Sequence, residues 1–249
     1  MLDLHVHIGQ FYDRYFSPEY VVDLMASLNI ERYAVSSTTV CEENYVKVLD
    51  EFSTLQTIAK ERAIPVLWIT PQMIDTGKLS VFLESGIVWK CLKVHPQICP
   101  QAWLPNSQYF QEIVKLARSL RIPVLIHTGE VSGCESSRFS PVITANADIN
   151  FILAHGRPTN EAIQILSLCH NAWVDTAFME TETIVKFVNA GFNDRVLWGT
   201  DMCIPQHYYP QLDMKKYYFE ILDNLKKAVG LDDFRKITNS NGFLIFGGQ

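Results

Sequence analysis

Short apolar runs alternate with longer amphipathic stretches along the whole chain. The runs cover residues 2–7, 32–36, 65–69, 88–94, 123–127, 150–154, 172–175 and 195–199. They are rich in β-branched or apolar residues and bounded by Gly, Pro, Asn or Asp, the pattern of buried strands. Helical periodicity fills the gaps at residues 18–28, 43–61, 108–120, 160–169 and 181–189, then at 214–229 and 232–238. Residues 78–84 and 141–147 read as two further short helices. Ser17-Pro18-Glu19 offers a cap and a proline in the first turn. Thr159 and Thr181 stand as further cap candidates, each followed by an acid that suits the helix dipole. Arg62-Ala63-Ile64-Pro65 and Arg121-Ile122-Pro123 each read as a helix end followed by a proline that opens a strand. Eight strands with helices between them predict an α/β fold, a parallel sheet closed into a (β/α)8 TIM barrel. An open doubly wound sheet is the rival, but it often carries a glycine-rich turn after its first strand. Here that strand ends in His-Val-His.

Composition narrows the picture. A barrel of this type takes about 250 residues, so one domain accounts for all 249. Apolar residues make up 48% and charged residues 19%, enough for a sizeable core and unlike a disordered chain. The net charge is −6 and no basic run occurs, which argues against nucleic acid as a partner. No apolar stretch approaches the ~20 residues that span a bilayer, so no membrane partner is expected. The six cysteines, at 41, 91, 99, 134, 169 and 203, show no CxxC spacing and read as reduced and packed. The start of the chain lacks a basic region and an apolar run, so a cytoplasmic location is expected.

The candidate chemistry begins in Asp3-Leu4-His5-Val6-His7. Alternation along a strand puts His5 and His7 on one face, with Leu4 and Val6 turned toward the covering helices. Two imidazoles at the inner end of a strand form half a metal site. His127 ends the fifth predicted strand, His155 follows the sixth, and Asp201 follows the eighth. In a TIM barrel those strand ends are where catalytic residues gather. Imidazole and carboxylate together suit zinc and similar divalent ions, with a position left open for water.

The set His5, His7, His127, His155 and Asp201 resembles the amidohydrolase superfamily, a (β/α)8 fold of the metallo-dependent hydrolase type. It is most similar to the amidohydrolase-related branch of hydrolases and decarboxylases. Lys93-Val94-His95-Pro96, Pro123-Val124-Leu125-Ile126-His127-Thr128-Gly129 and Asn241-Gly242-Phe243-Leu244-Ile245-Phe246 share in that likeness. The resemblance implies that His5, His7, His127 and Asp201 ligate one divalent ion, with zinc expected. It implies that Asp201 is also the general base toward water. His155 would hydrogen-bond the substrate or water, or bind a second metal. Lys93 lies about where some members carry a carboxylated lysine bridging two ions. Its plainer reading is a lysine paired with substrate or a nearby carboxylate.

Loop residues complete the inventory. Phe11, Tyr12, Arg14 and Tyr15 follow the first strand, and Arg138 and Arg157 could hold a substrate carboxylate or phosphate. Trp103 and His207 could shape the pocket, while His170 and the tyrosines from 208 to 218 read as packing. His95 reads as part of the loop mouth rather than as a ligand. A homo-oligomer is left open, because the apolar loop at 97–105 could cover a partner subunit or the barrel mouth. The expected activity is hydrolysis of an amide, ester or lactone in a small molecule. A nonoxidative decarboxylase, a metal-dependent phosphoesterase and a non-catalytic scaffold are the competing readings.

Overall fold

The computed structural model describes residues 1–246. Nine strands form one sheet: β1 (Leu2–Phe11), β2 (Arg14–Phe16), β3 (Arg32–Ser37), β4 (Ala63–Trp68), β5 (Cys91–Val94), β6 (Val124–His127), β7 (Phe151–Ala154), β8 (Ala172–Asp175) and β9 (Val196–Leu197). Their order is β2-β1-β3-β4-β5-β6-β7-β8-β9. All neighbours are parallel except β1 and β2, a hairpin that pairs Gly9 with Phe16. The two ends of the parallel series meet. Leu4 N donates to Trp198 O at 2.9 Å, and Val6 pairs with Met202 in parallel register. The barrel expected from the strand–helix rhythm is therefore present. Each of the eight predicted runs holds a strand, while β2 went unrecognised because it is a three-residue extension of the first.

Two clusters divide the core by side-chain phase. Val35, Leu92, Val124, Ile126, Leu153 and Val196 pack outward against the helices. Ala34, Ile64, Val66, Leu125, Ile152 and Leu197, one residue out of step, fill the barrel's interior. Leu2 and Leu4 belong to the interior group, whereas Val6 and Ile8 belong to the outer one. This corrects the simple alternation read from the sequence, which turned Leu4 outward with Val6. The cause is an irregularity in the β1–β3 register between Asp3 and Val6. One extra residue there switches the phase of the strand. Below the switch leucines fill the floor; above it His5 and His7 point inward.

The helix Asn241–Phe246 seals that floor with Ile245 and Phe246. Asn241 anchors it by donating to the carbonyls of Asn193 and Val196. Helix Pro18–Ser27 starts as expected, with Ser17 accepting from Tyr20 N at 3.2 Å. Thr159 and Thr181 are not caps: they are first helical residues, preceded by Pro158 and Glu180, and neither end has a side-chain cap. Their acidic neighbours Glu161 and Glu182 do lie in the first turns. None of the six cysteines is paired. Among the described residues no helix is long and apolar enough to cross a membrane.

Asp3 sits at the seam where the barrel closes. Its carboxyl accepts from His5 N at 3.1 Å, from Thr200 N at 3.2 Å and from Thr200 Oγ1 at 2.6 Å. Burial nevertheless pushes its pKa up to about 7, outweighing those hydrogen bonds. An acid whose pKa is higher folded than unfolded holds its proton more tightly in the native state. Stability from this group therefore falls as pH rises from the unfolded value of 3.8 toward 7. Asp3→Asn should flatten that part of a urea-unfolding series run across this pH window. An unchanged slope would mean that Asp3 stays charged in the fold.

Candidate metal centre

The strands deliver their polar residues to one mouth of the barrel. His5 and His7 come from β1, Lys93 from β5, His127 from the end of β6 and Asp175 from the end of β8. His155 follows β7 directly, and Asp201 lies four residues beyond β9. His155 and Asp201 both have positive φ, at 66° and 59°. That left-handed backbone turns each side chain back over the barrel. Gly156 after His155 is also left-handed at 51°, and a Cβ there would strike Val174 and Met179. Only glycine lets the chain turn so sharply against β8.

Sequence reading missed the carboxylate that organises the cluster. Asp175 Oδ2 lies 2.9 Å from His5 Nδ1. Its Oδ1 accepts from the backbone N–H of His155 at 2.9 Å and of Ala177 at 3.1 Å. The sequence showed only an acid at the end of an apolar strand, where barrel enzymes gather catalytic groups, with nothing to say which way it faces. His5 thus carries its proton on Nδ1 and turns the Nε2 lone pair inward. His155 does the same, with Nδ1 donating to Ala177 O at 3.0 Å. The Nδ1 of His7 meets Ser36 Oγ at 3.1 Å. Outer partners of this kind set the tautomer and aim of metal-binding histidines.

The inward atoms converge. His7 Nε2 is 2.9 Å and His5 Nε2 3.3 Å from Asp201 Oδ1. His5, His155 and Asp201 each present a ligand atom, all within 4.8 Å of one another. Lys93 Nζ lies 2.9 Å from His5 Nε2 and 3.2 Å from His7 Nε2, and 4.6 Å over the Trp68 ring. His127 stands one step farther out, with Nδ1 3.1 Å from His155 Nε2 and Nε2 3.1 Å from Gln97 Oε1. His5, His155 and Asp201 thus form one group at ligand distance, and His127 adjoins it through His155.

Electrostatics favour the ligating forms. Burial, reinforced by the charge of Lys93, lowers the His7 pKa to about 3. Burial also lowers His155, and holds His127 well below the ordinary imidazole range. Burial alone would raise Asp201, but His5 and His7 overcome it and hold the carboxyl well below its usual range. Burial lowers Lys93 to about 8, against the pull of Asp201 and Asp175. Neutral imidazoles and an ionised carboxylate around a shared point are the state that a divalent cation requires. The donors fit such an ion, and the Lys93 ammonium already lies against two of them.

The remaining candidates are dispersed. Arg157 donates to Phe178 O at 2.6 Å, and Arg14 donates to Gln206 O. Trp103 is fully buried and packs near Tyr109, so it lines no open pocket. His207 lies 3.4 Å from Asp13 and stacks on Tyr12. His170 is exposed, and Arg138 lies beside Gly133. Phe11 packs edge-on against Tyr12 and His207 at the hairpin tip, and Tyr15 lies under the Lys47 ammonium.

A sequence model of the amidohydrolase family matches residues 90–241. None of the curated proteins matches the chain in sequence. The structure is similar to a probable 2-pyrone-4,6-dicarboxylic acid hydrolase from Acinetobacter baumannii with citric acid bound. That pair shows 13% identity and a TM-score of 0.72, covering 99% of this chain and 98% of that one. It is also similar to 4-oxalomesaconate hydratase from Rhodopseudomonas palustris, at 12% identity and TM-score 0.69, covering 99% and 95%. A third likeness is to 2,6-dihydroxybenzoate decarboxylase complexed with 2,6-dihydroxybenzoate, at 13% identity and TM-score 0.67, covering 99% and 97%. At these identities the likeness is one of fold.

The position of Asp175 generates a test. Asp175→Asn keeps the volume but removes the charge that pins His5. Affinity for zinc should fall by about 10–100-fold while the circular dichroism spectrum is kept. Titration with a competing chelator measures it, and unchanged affinity would reduce Asp175 to a packing group.

Proposed function

The chain belongs to the amidohydrolase family, and from that premise we propose that it is a metal-dependent hydrolase of a small molecule bearing carboxylates. The bond cleaved would be an amide, ester or lactone. One observation carries the reading. His5 and His155 have their outer nitrogens pinned by Asp175 and Ala177 O, and their inner nitrogens converge with Asp201.

In this reading His5, His7, His155 and Asp201 hold one divalent ion, with zinc the ion proposed. When bound, the ion supplies Lewis acidity, polarising a scissile carbonyl and making water more acidic. Asp201 is ionised and takes the proton of the attacking water as general base. It then returns that proton to the leaving group. His127 packs beside His155, its Nδ1 3.1 Å from His155 Nε2 and its Nε2 turned to Gln97 Oε1. Lys93 balances the carboxylates Asp201 and Asp175 inside the barrel. The carboxylate character of the substrate is supported by the relatives' names, which include a dicarboxylate and a benzoate, and by the citric acid bound to one of them.

The likeness to 2,6-dihydroxybenzoate decarboxylase favours one second reading, nonoxidative decarboxylation at the same residues. Carbon dioxide release without net water consumption would identify it.

Elemental mass spectrometry of protein purified without chelator should find about one zinc or manganese per chain. About two would instead support a carboxylated Lys93 bridging a pair of ions. His155→Ala should lose most of the metal, and His127→Ala less. Asp201→Asn should lower kcat by roughly 10²–10⁴-fold on a panel of carboxylated lactones and amides. Full turnover in Asp201→Asn would remove it from the mechanism, and a chain that neither holds nor rebinds metal would end the hydrolase reading.

A further inference from the structure

His95 extends β5 two residues beyond Lys93, on the same side of the strand. Its ring is held between two others. Trp68 stacks at 5.2 Å with 9° between planes, and His127 at 3.8 Å with 15°. Such a sandwich leaves the imidazole little freedom to turn. Among the described residues the ring has no hydrogen-bond partner, and its Nδ1 is buried. Nε2 is not among the enclosed, unpartnered atoms, and the residue as a whole is half-buried.

Those facts select a tautomer. A buried N–H without an acceptor forfeits a hydrogen bond that water would have supplied. A neutral imidazole carries one ring proton, and the other nitrogen can hold it. With Nδ1 enclosed, the proton belongs on Nε2, which then is a donor with nothing to donate to. His127 links His95 to His155 and thus to the cluster of His5 and Asp201. His95 therefore stands one ring beyond the proposed metal ligands, where a substrate rather than the ion would meet it.

We infer that His95 binds the substrate as a neutral imidazole, donating from Nε2 to an oxygen of the reacting carbonyl or of an adjoining carboxylate. The inference rests on the proposed hydrolase for the reaction, but not for the capture of a carboxylate or carbonyl oxygen. A donor fixed in place before the substrate arrives costs no reorganisation when charge develops on that oxygen. Trp68 has a distinct part, since it holds the ring plane without touching the oxygen.

The test uses the zinc-loaded full chain labelled with ¹⁵N-histidine, with His95→Phe to assign the signal. The His95 nitrogens should show the neutral Nε2–H pattern, and the Nε2 signal should move on titration with citrate as probe. His95→Phe should bind citrate at least about tenfold more weakly, roughly one hydrogen bond's worth, at unchanged zinc content. His95→Gln, which keeps a donor, should recover most of that affinity. An Nδ1–H tautomer, no citrate binding by the parent chain, or equal citrate affinity in His95→Phe would each overturn the assignment. So would loss of zinc in His95→Phe, which would make His95 a ligand. Failure of the hydrolase reading appears separately, as an absence of turnover with the citrate response intact.

Discussion

A barrel exists only if its first strand finds its last. Here that junction is made by few residues: Leu4 N on Trp198 O, Val6 beside Met202, and the Asp3 carboxyl on Thr200. The same residues aim the site. Asp3 accepts from the backbone of His5 and from that of Thr200, the neighbours of the two sides of the cluster. His5 and His7 stand on one side of the seam and Asp201 on the other. Closing the barrel and assembling the site are therefore one event. A loss at the seam would be felt both as stability and as misplaced donors.

The register irregularity of β1 serves the same end. A strand with strict alternation must choose between a leucine floor and a histidine mouth. By adding one residue between Asp3 and Val6, β1 has both on the inner face. The floor then owes its stability to Leu2, Leu4 and the closing helix, while the mouth is free to hold polar groups. Burying those groups is costly unless each has a partner. Asp175 meets that cost with three hydrogen bonds, and in doing so orients two histidines. Burial keeps His7 and His155 neutral, and His5 and His7 hold Asp201 ionised. The cluster thus stands in the protonation state that cation binding needs before any cation arrives.

The strand–helix order of the barrel was legible along the chain because burial imposes period two on strands and the longer period on helices. The helices Gln108–Leu120, Thr181–Asn189 and Met214–Val229 have the bounds that the pattern predicted. The positions of His5, His7, His127, His155 and Asp201 at strand ends were legible for the same reason. Asp175 was not, because an acid closing an apolar strand looks the same whether it faces solvent or an imidazole. Nor was His95, whose meaning lies in Trp68 and His127, residues distant in sequence.

What the chain determined by itself was thus the alternation of strands and helices and the residue types brought to one end of the barrel. These depend on local periodicity, which each segment carries alone. Tertiary structure decided which way Leu4 points, which histidine stands beside His5 and Asp201, and where each ring keeps its proton. Those depend on pairing register and on hydrogen-bond partners far apart in sequence, such as His5 and Asp175, 170 positions apart. A one-residue shift in register reverses a strand's faces, and no segment read alone contains that information.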